Sequence, residues 1–326
     1  MRRIGLIGCG GIVHRTHALA YDALSARWQV VAAADVSERA LEGAGARFGI
    51  APAQRYRDYR DMLERAPIDT VVIATPHVFH AEQAIAAAQA GKAIISEKPM
   101  ATTREEADAI LAAVRAAGVA YVAGEPLLGH AELMARKPDE TTRPERDWRA
   151  AQRFGGGCVI DTAYHEIYTV EKLMASPVRY VEARVATLKF PIDVDDTALL
   201  LLEHANGRLS TVHASWCARS PALRGRWVVV QGTRGAVRIV YNGEVPLAYW
   251  RDGDTSWQQA EAEFLAGTAA VLHDRTGHTA FFQAVAGALE AGQPMPVTGE
   301  EARHILAIVL AAREAGRTRR AVEVER

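Results

Sequence analysis

The sequence has almost no net charge, few cysteines, few aromatic residues and no long apolar run. Its 326 residues set 38 Lys and Arg against 39 Asp and Glu, a balance that gives no electrostatic reason to expect nucleic acid or an anionic membrane as a partner. Arg317, Arg319 and Arg320 read as a solvated helix end. Cys9, Cys158 and Cys217 are odd in number, far apart and without metal-ligand spacing, which argues against a disulfide framework and for a reducing compartment. No stretch approaches the roughly 18 apolar residues of a membrane span. Met1-Arg2-Arg3 before Ile4 to Cys9 falls short of the roughly 15 to 30 residues of a signal peptide, and His14 and Arg15 close the run. These absences predict a cytoplasmic protein. Its length exceeds what one core usually supports, so two domains are expected, at residues 1–123 and 124–326.

In the first half, strands alternate with helices. Arg3 to Ile7 reads as a strand, followed by Gly8-Cys9-Gly10-Gly11-Ile12-Val13 and a helix through Ser25. Strand, glycine turn and helix form the context of a dinucleotide-binding fingerprint. Gly8 permits the tight turn, and Gly10 lets the backbone approach a pyrophosphate at the helix N-terminus. Val13 stands in place of the third glycine. A second strand, Trp28 to Ala34, ends in Asp35, about 25 residues after the first glycine and where an acid binds the adenosine ribose. A carboxylate there accepts ribose hydroxyls and repels a 2′-phosphate, which favours NAD. Arg39, one turn into the next helix, keeps NADP open.

Ser37 and Asp58 are candidate helix caps, and Thr103-Arg104-Glu105-Glu106 has the form of a capping box for a helix ending near Gly118. Strands are expected at Ile68 to Ala74, at Ala93 to Ser96 and at Val119 to Ala123. The pattern predicts an α/β, doubly wound, mainly parallel sheet, with the tips at Gly8, Asp35, Thr75 and Lys98 on one edge. Ligands gather beyond the carboxyl ends of such strands, so Lys98 in Ser96-Glu97-Lys98-Pro99 is a candidate site residue. On position alone it fits a solvated lysine equally well. The His14/His17 and His77/His80 pairs lack a third ligand nearby in sequence, so no metal is expected.

Beyond a charged, irregular stretch to Trp148, Gly155-Gly156-Gly157 leads into a helix carrying Asp161 and His165, four apart and therefore stacked on one face. An imidazole beside a carboxylate can take a proton from an alcohol, and the same spacing also suits a structural pair. Strands then follow at Val181 to Leu188, Thr197 to His204, Leu209 to Trp216, Trp227 to Gln231, Val237 to Tyr241 and Leu247 to Trp250. Asn206-Gly207 and Asn242-Gly243 mark hairpins, so this half is read as α+β with an open, mainly antiparallel sheet. Helices near Thr279 to Ala291 and Glu300 to Gly316 end the chain. Trp148, Tyr164, Tyr168 and Trp216 are candidates for a stacking surface, or core.

Together these pieces resemble the glucose-fructose oxidoreductase, inositol dehydrogenase and MocA (Gfo/Idh/MocA) family from Ile4 to about Val324. The matching stretches are Gly8-Cys9-Gly10-Gly11-Ile12, Ala74-Thr75-Pro76 with His80, Gly91-Lys92 leading to Glu97-Lys98-Pro99, Gly155-Gly156-Gly157 with Asp161 and His165, Asp195-Asp196-Thr197, and Gly232-Thr233-Arg234-Gly235. The resemblance implies a Rossmann domain plus an open-sheet domain that forms homo-oligomers through its sheet. It also implies NAD-dependent exchange of hydride with a secondary alcohol of a sugar or cyclitol. Lys98, Asp161 and His165 match the family's catalytic lysine, aspartate and histidine. Gly8, Gly10, Gly11, Ile12, Ala74, Thr75, Pro76, His80, Glu97 and Lys98 lie in the matching stretches as cofactor candidates, beside Asp35 and Arg39, which are candidates by their own position. The alternatives are redox-neutral glycoside cleavage or epimerisation through a transient keto-sugar, and a non-catalytic cofactor-binding protein. Three departures bear on substrate: Glu125-Pro126-Leu127-Leu128-Gly129-His130 replaces an Asn- and Arg-containing run, the connection to Trp148 is short, and Tyr168 replaces an acid. Glu125 is therefore a further substrate candidate.

Overall fold

The computed structural model describes residues 1–124, 144, 147–217, 227–240, 247–260 and 277–325. The first half builds a six-stranded parallel sheet from β1 (Arg2–Ile7), β2 (Trp28–Ala34), β3 (Arg55–Tyr56), β4 (Thr70–Ile73), β5 (Ala93–Ser96) and β6 (Tyr121–Ala123), in the order β3-β2-β1-β4-β5-β6. The chain direction across the sheet reverses between β1 and β4, where an open α/β sheet presents its ligand crevice. Helices cover both faces: α1 (Ala18–Ala23), α2 (Glu38–Phe48), α3 (Tyr59–Arg65), α4 (His80–Gln89) and α5 (Arg104–Ala117). Ser37 accepts from Ala40 N, Asp58 accepts from Arg60 N, and Thr103 with Glu106 closes the full capping box. The helix after β1 departs from regular winding, because Val13–His17 is a π turn leading into α1.

In the second half two short 3-10 turns, Trp148–Ala150 and Gln152–Phe154, precede a π turn, Val159–Ala163, that runs into α6 (Tyr164–Met174). One antiparallel sheet contains β7 (Val178–Ala186), β8 (Thr197–His204) and β9 (Leu209–Ser215). Another contains β10 (Trp227–Gly232), β11 (Gly235–Val240), β12 (Leu247–Arg251) and β13 (Gln258–Gln259). Among the described residues the antiparallel strands form two four-stranded sheets where one was expected. The Asn242-Gly243 hairpin lies outside the described residues. After α7 (His278–Ala291) and α8 (Gly299–Thr318), β14 (Val322–Glu323) pairs with β7.

In β8, Ala198, Leu200 and Leu202 are buried while Leu199 and Leu201 are exposed, the period of two that a one-sided sheet imposes. The last helices return to the first half. Phe282 of α7 packs among His17, Tyr21 and Trp28, with ring centroids 5.1, 5.5 and 5.9 Å away. Ala302 and Leu306 of α8 join the apolar core of the first half, where α8 packs against α5 and β6. Among the described residues, no helix is long and apolar enough to cross a membrane.

Candidate active site

The sheet's carboxyl edge brings the glycine turn, Asp35, Thr75 and Lys98 together, because Gly8 N bonds to Ala34 O, Ala74 N to Ile7 O and Glu97 N to Ile73 O. Gly8 has φ +90°, and a Cβ there would lie 2.7 Å from the Ala74 carbonyl oxygen. Only glycine fits that turn. Gly10, by contrast, faces open space, leaving the backbone beside the helix start approachable by a ligand. The carboxylate of Asp35 shapes the loop, accepting from Cys9 N at 2.7 Å and Ser37 N at 2.8 Å. This cradle suits a dinucleotide: a glycine turn, an open approach before a helix and a carboxylate at the end of β2. Ile12 borders the turn half-buried, and Arg39 is exposed on the first turn of α2. Burial, aided by Asp35, pushes the Cys9 thiol up to about 12, so it is no nucleophile at neutral pH.

Lys98 is 5% exposed. Its Nζ donates to the Asp161 carbonyl at 2.7 Å and to Asp161 Oδ1 at 3.1 Å. The end of β5 and the glycine-rich helix start, 63 positions apart, are therefore joined at one ammonium. Asp161 also lies 3.4 Å from Arg149 Nε and 3.9 Å from His77 Nε2. Burial disfavours its charge, yet Lys98, Arg149 and His77 outweigh that and hold the carboxyl well below the usual carboxylate range. The solvated reading of Lys98 is thereby excluded.

Asp161 belongs to the π turn and His165 to α6, so the two are not on one regularly wound α-helix as their spacing suggested. His165 is 4% exposed, and its carbonyl accepts from Thr169 Oγ1. The turn is fixed from both sides: Asp195 Oδ2 accepts from Val159 N at 2.6 Å, and Trp216 Nε1 donates to Thr162 Oγ1 at 2.8 Å.

Several candidates occupy other roles. His80 is fully buried and places Nδ1 and Nε2 each 2.8 Å from a carbonyl, of Pro99 and Thr75. It ties two loop tips together, so its ring nitrogens are not available to a cofactor. Thr75 Oγ1 donates to Gln83, and Ala74 and Pro76 are half-buried at the same edge. Glu97 accepts from His17 Nε2 at 2.6 Å. Tyr164 and Tyr168 are 2% and 3% exposed within the core cluster, which removes them as stacking surfaces. Trp148 remains half-buried beside the site, 4.5 Å from the His77 ring and 4.2 Å from the Arg149 guanidinium. Glu125 lies outside the described residues. Arg149 is the site residue that sequence reasoning missed, while His77, noted there only as half of a His-x-x-His pair, stands beside Asp161. The only signal for Arg149 was its adjacency to Trp148.

Among the described residues, His17, Glu97 and His278 bring three ligand-type atoms within 4.8 Å of one another. The sequence concealed this third group, because Glu97 reaches His17 across 80 positions. The 2.6 Å contact is a hydrogen bond, shorter than the edge of about 3.3 Å between ligands of a tetrahedral zinc ion. Burial opposes the charge on Glu97, but the bond to His17 and the nearby His17, His278 and Lys98 bring its carboxyl down to about 2.

Residues 2–125 match a family model described as an oxidoreductase family with an NAD-binding Rossmann fold, and residues 112–238 match the GFO/IDH/MocA C-terminal domain. Levoglucosan dehydrogenase of Pseudarthrobacter phenanthrenivorans is 32% identical over 294 residues, covering 74% of this chain and 73% of that protein. D-apiose dehydrogenase of Paraburkholderia graminis is 30% identical over 258 residues, covering 72% and 66%. Among solved structures, the WlbA dehydrogenase of Bordetella pertussis, in complex with NADH and UDP-GlcNAcA, has TM-score 0.83 at 24% identity, covering 100% of this chain and 98% of that one. A levoglucosan dehydrogenase complex with NADH and L-sorbose has TM-score 0.82 at 24% identity, covering 100% and 99%.

Proposed function

The chain belongs to the Gfo/Idh/MocA oxidoreductase family, and from that premise we propose that it oxidises a secondary alcohol of a sugar, sugar derivative or cyclitol with NAD, or runs the reverse reaction. The observation that carries this reading is the buried Lys98 ammonium held on Asp161, where the glycine-turn edge meets the second half. Nicotinamide, when bound, supplies the hydride acceptor. Lys98 holds the reacting oxygen and stabilises negative charge developing there. His165 takes the hydroxyl proton. Asp161 keeps Lys98 charged and aimed.

We assign cofactor binding to residues 1–123 and substrate binding to 124–326. Gly8, Gly10, Gly11, Ile12, Asp35 and the Ala74-Thr75-Pro76 tip line the cofactor side. The Asp35 carboxylate favours NAD over NADP, while Arg39 on the first turn of α2 keeps a 2′-phosphate open. The cysteines, all free, support a cytoplasmic setting. Exposed Leu199, Leu201 and Leu209 on the outer face of β8 and β9, at 53%, 39% and 61%, support self-association through that sheet.

The test follows NADH formation at 340 nm across polyols, aldoses, anhydrosugars and inositols, with NAD and NADP compared. Turnover with NAD is expected, together with a loss of at least about 100-fold in kcat for Lys98→Met. Tight NAD binding without turnover on any compound would sink the dehydrogenase reading. Glycoside cleavage with no accumulating NADH would point to the redox-neutral alternative.

A further inference from the structure

His77 Nδ1 lies 3.0 Å from the Gly155 carbonyl oxygen. A carbonyl can only accept, so Nδ1 carries the proton and the neutral ring presents a bare lone pair at Nε2. The approach depends on Gly155: it has φ +70°, and a Cβ there would lie 2.7 Å from Thr102 Cγ2 and 3.4 Å from His77 Cβ.

The other nitrogen, Nε2, faces Asp161 Oδ1 at 3.9 Å, beyond hydrogen-bond range. An imidazolium paired with Asp161 would explain the juxtaposition, but burial, with Lys98 and His80 adding to it, brings the His77 pKa down to about 3. At neutral pH two acceptors therefore confront each other across the gap. Asp161 Oδ1 already has the Lys98 ammonium at 3.1 Å, whereas Nε2 has no hydrogen-bond donor among the described residues. Trp148 packs edge-on against the imidazole at 4.5 Å, fixing its plane. The Asp161 side chain keeps 16% exposure, so the gap borders space a ligand can enter.

We propose that His77 Nε2 accepts a hydrogen bond from a substrate hydroxyl next to the one held by Lys98, so that the site selects a vicinal diol. This rests on the dehydrogenase reading. Lys98 and His77 both border Asp161 Oδ1, close enough for neighbouring hydroxyls of one ring to address both. The same acceptor could instead meet a hydroxyl of the nicotinamide ribose, and the two sources are separable by experiment.

The probes are the panel compound that wild-type enzyme oxidises fastest and its monodeoxy analogue lacking the hydroxyl beside the reacting carbon. Wild type is expected to lose about tenfold in kcat/KM on the analogue. His77→Asn keeps a donor for Gly155 and withdraws the acceptor from the gap. It should lose about tenfold on the parent compound and show a parent-to-analogue ratio near one, with NADH affinity within twofold of wild type. His77→Gln, which restores an acceptor at the original reach, should recover part of the discrimination. A His77→Asn enzyme that still discriminates tenfold overturns the proposal. So does weakened NADH binding with unchanged substrate KM, which would assign the hydroxyl to the ribose. A wild type that binds NADH but oxidises no panel compound overturns the dehydrogenase reading itself, and this inference with it.

Discussion

Glu97 accepts from His17 Nε2 at 2.6 Å, with His17 almost fully enclosed. Because the folded carboxyl titrates near 2, below the ordinary glutamate value of about 4.3, the unfolded chain binds the proton first. The contribution to stability is complete above the unfolded value and is lost as pH falls from about 5 to 2. Asp161, also lowered, acts in the same direction. Urea midpoints at pH 6, 4 and 3 should fall in wild type and fall less in Glu97→Gln; equal slopes would detach this pair from acid sensitivity. His17→Ala leaves the carboxylate without its donor and is expected to cost about 3 kcal/mol at pH 7. At this scale the sequence was informative about chemistry and silent about partners. Lys98 stands out by its place at a strand end and Asp161 and His165 by their spacing, each of which also suits a structural residue, and the family resemblance is what joins the three. The partners of Glu97 and His80 could not be read, since both side chains turn toward groups brought near only by folding.

The helix carrying Asp161 and His165 depends on an aspartate from a distant loop. Asp195, nearly buried, accepts from Val159 N through its side chain at 2.6 Å, and its backbone carbonyl accepts from Cys158 N at 2.8 Å. Neighbouring Asp196 accepts from Leu188, Lys189 and Phe190 amides. The Asp195-Asp196 pair is thus a double backbone anchor, one carboxylate for the helix start and one for the loop before β8. Asp195→Ala should destabilise the protein by about 1–2 kcal/mol and, because Asp161 shifts with its turn, lower kcat more than it raises KM. Thermal melts and steady-state kinetics check both, and an unchanged kcat would show that the turn holds without this anchor. Element placement was legible wherever a local signal exists: Ser37, Asp58 and Thr103 mark the starts of α2, α3 and α5. The π turns were not, since nothing in Val13–His17 or Val159–Ala163 distinguishes five-residue winding from four. β3, at two residues, is too short to show alternation.

Across the whole molecule, the inner face of β8 is core and its outer face keeps Leu199 and Leu201 exposed, with Leu209 of β9 beside them. If this face joins copies of the chain, Leu199→Arg with Leu201→Arg should lower the sedimentation coefficient toward that of a 35.4 kDa monomer while leaving NADH binding intact. A monomeric wild type, or an unchanged assembly in the double variant, would reject that face as the interface. The division of the antiparallel strands between two sheets was illegible because period-two alternation reports which face is buried, not which neighbour a strand pairs with.

Ala302 and Leu306, from the penultimate element of the chain, sit in the apolar core of the first half beside α5 and β6, and Arg303 Nε pairs with Asp108 of α5. The cofactor-side sheet is therefore finished by residues that come last in sequence. Anyone recombining this scaffold, to give its nucleotide half a new substrate half, cannot cut once near residue 124. The graft needs two junctions, with Gly299–Thr318 travelling alongside the sheet it completes, or the transplanted half will expose the surface that α8 now covers.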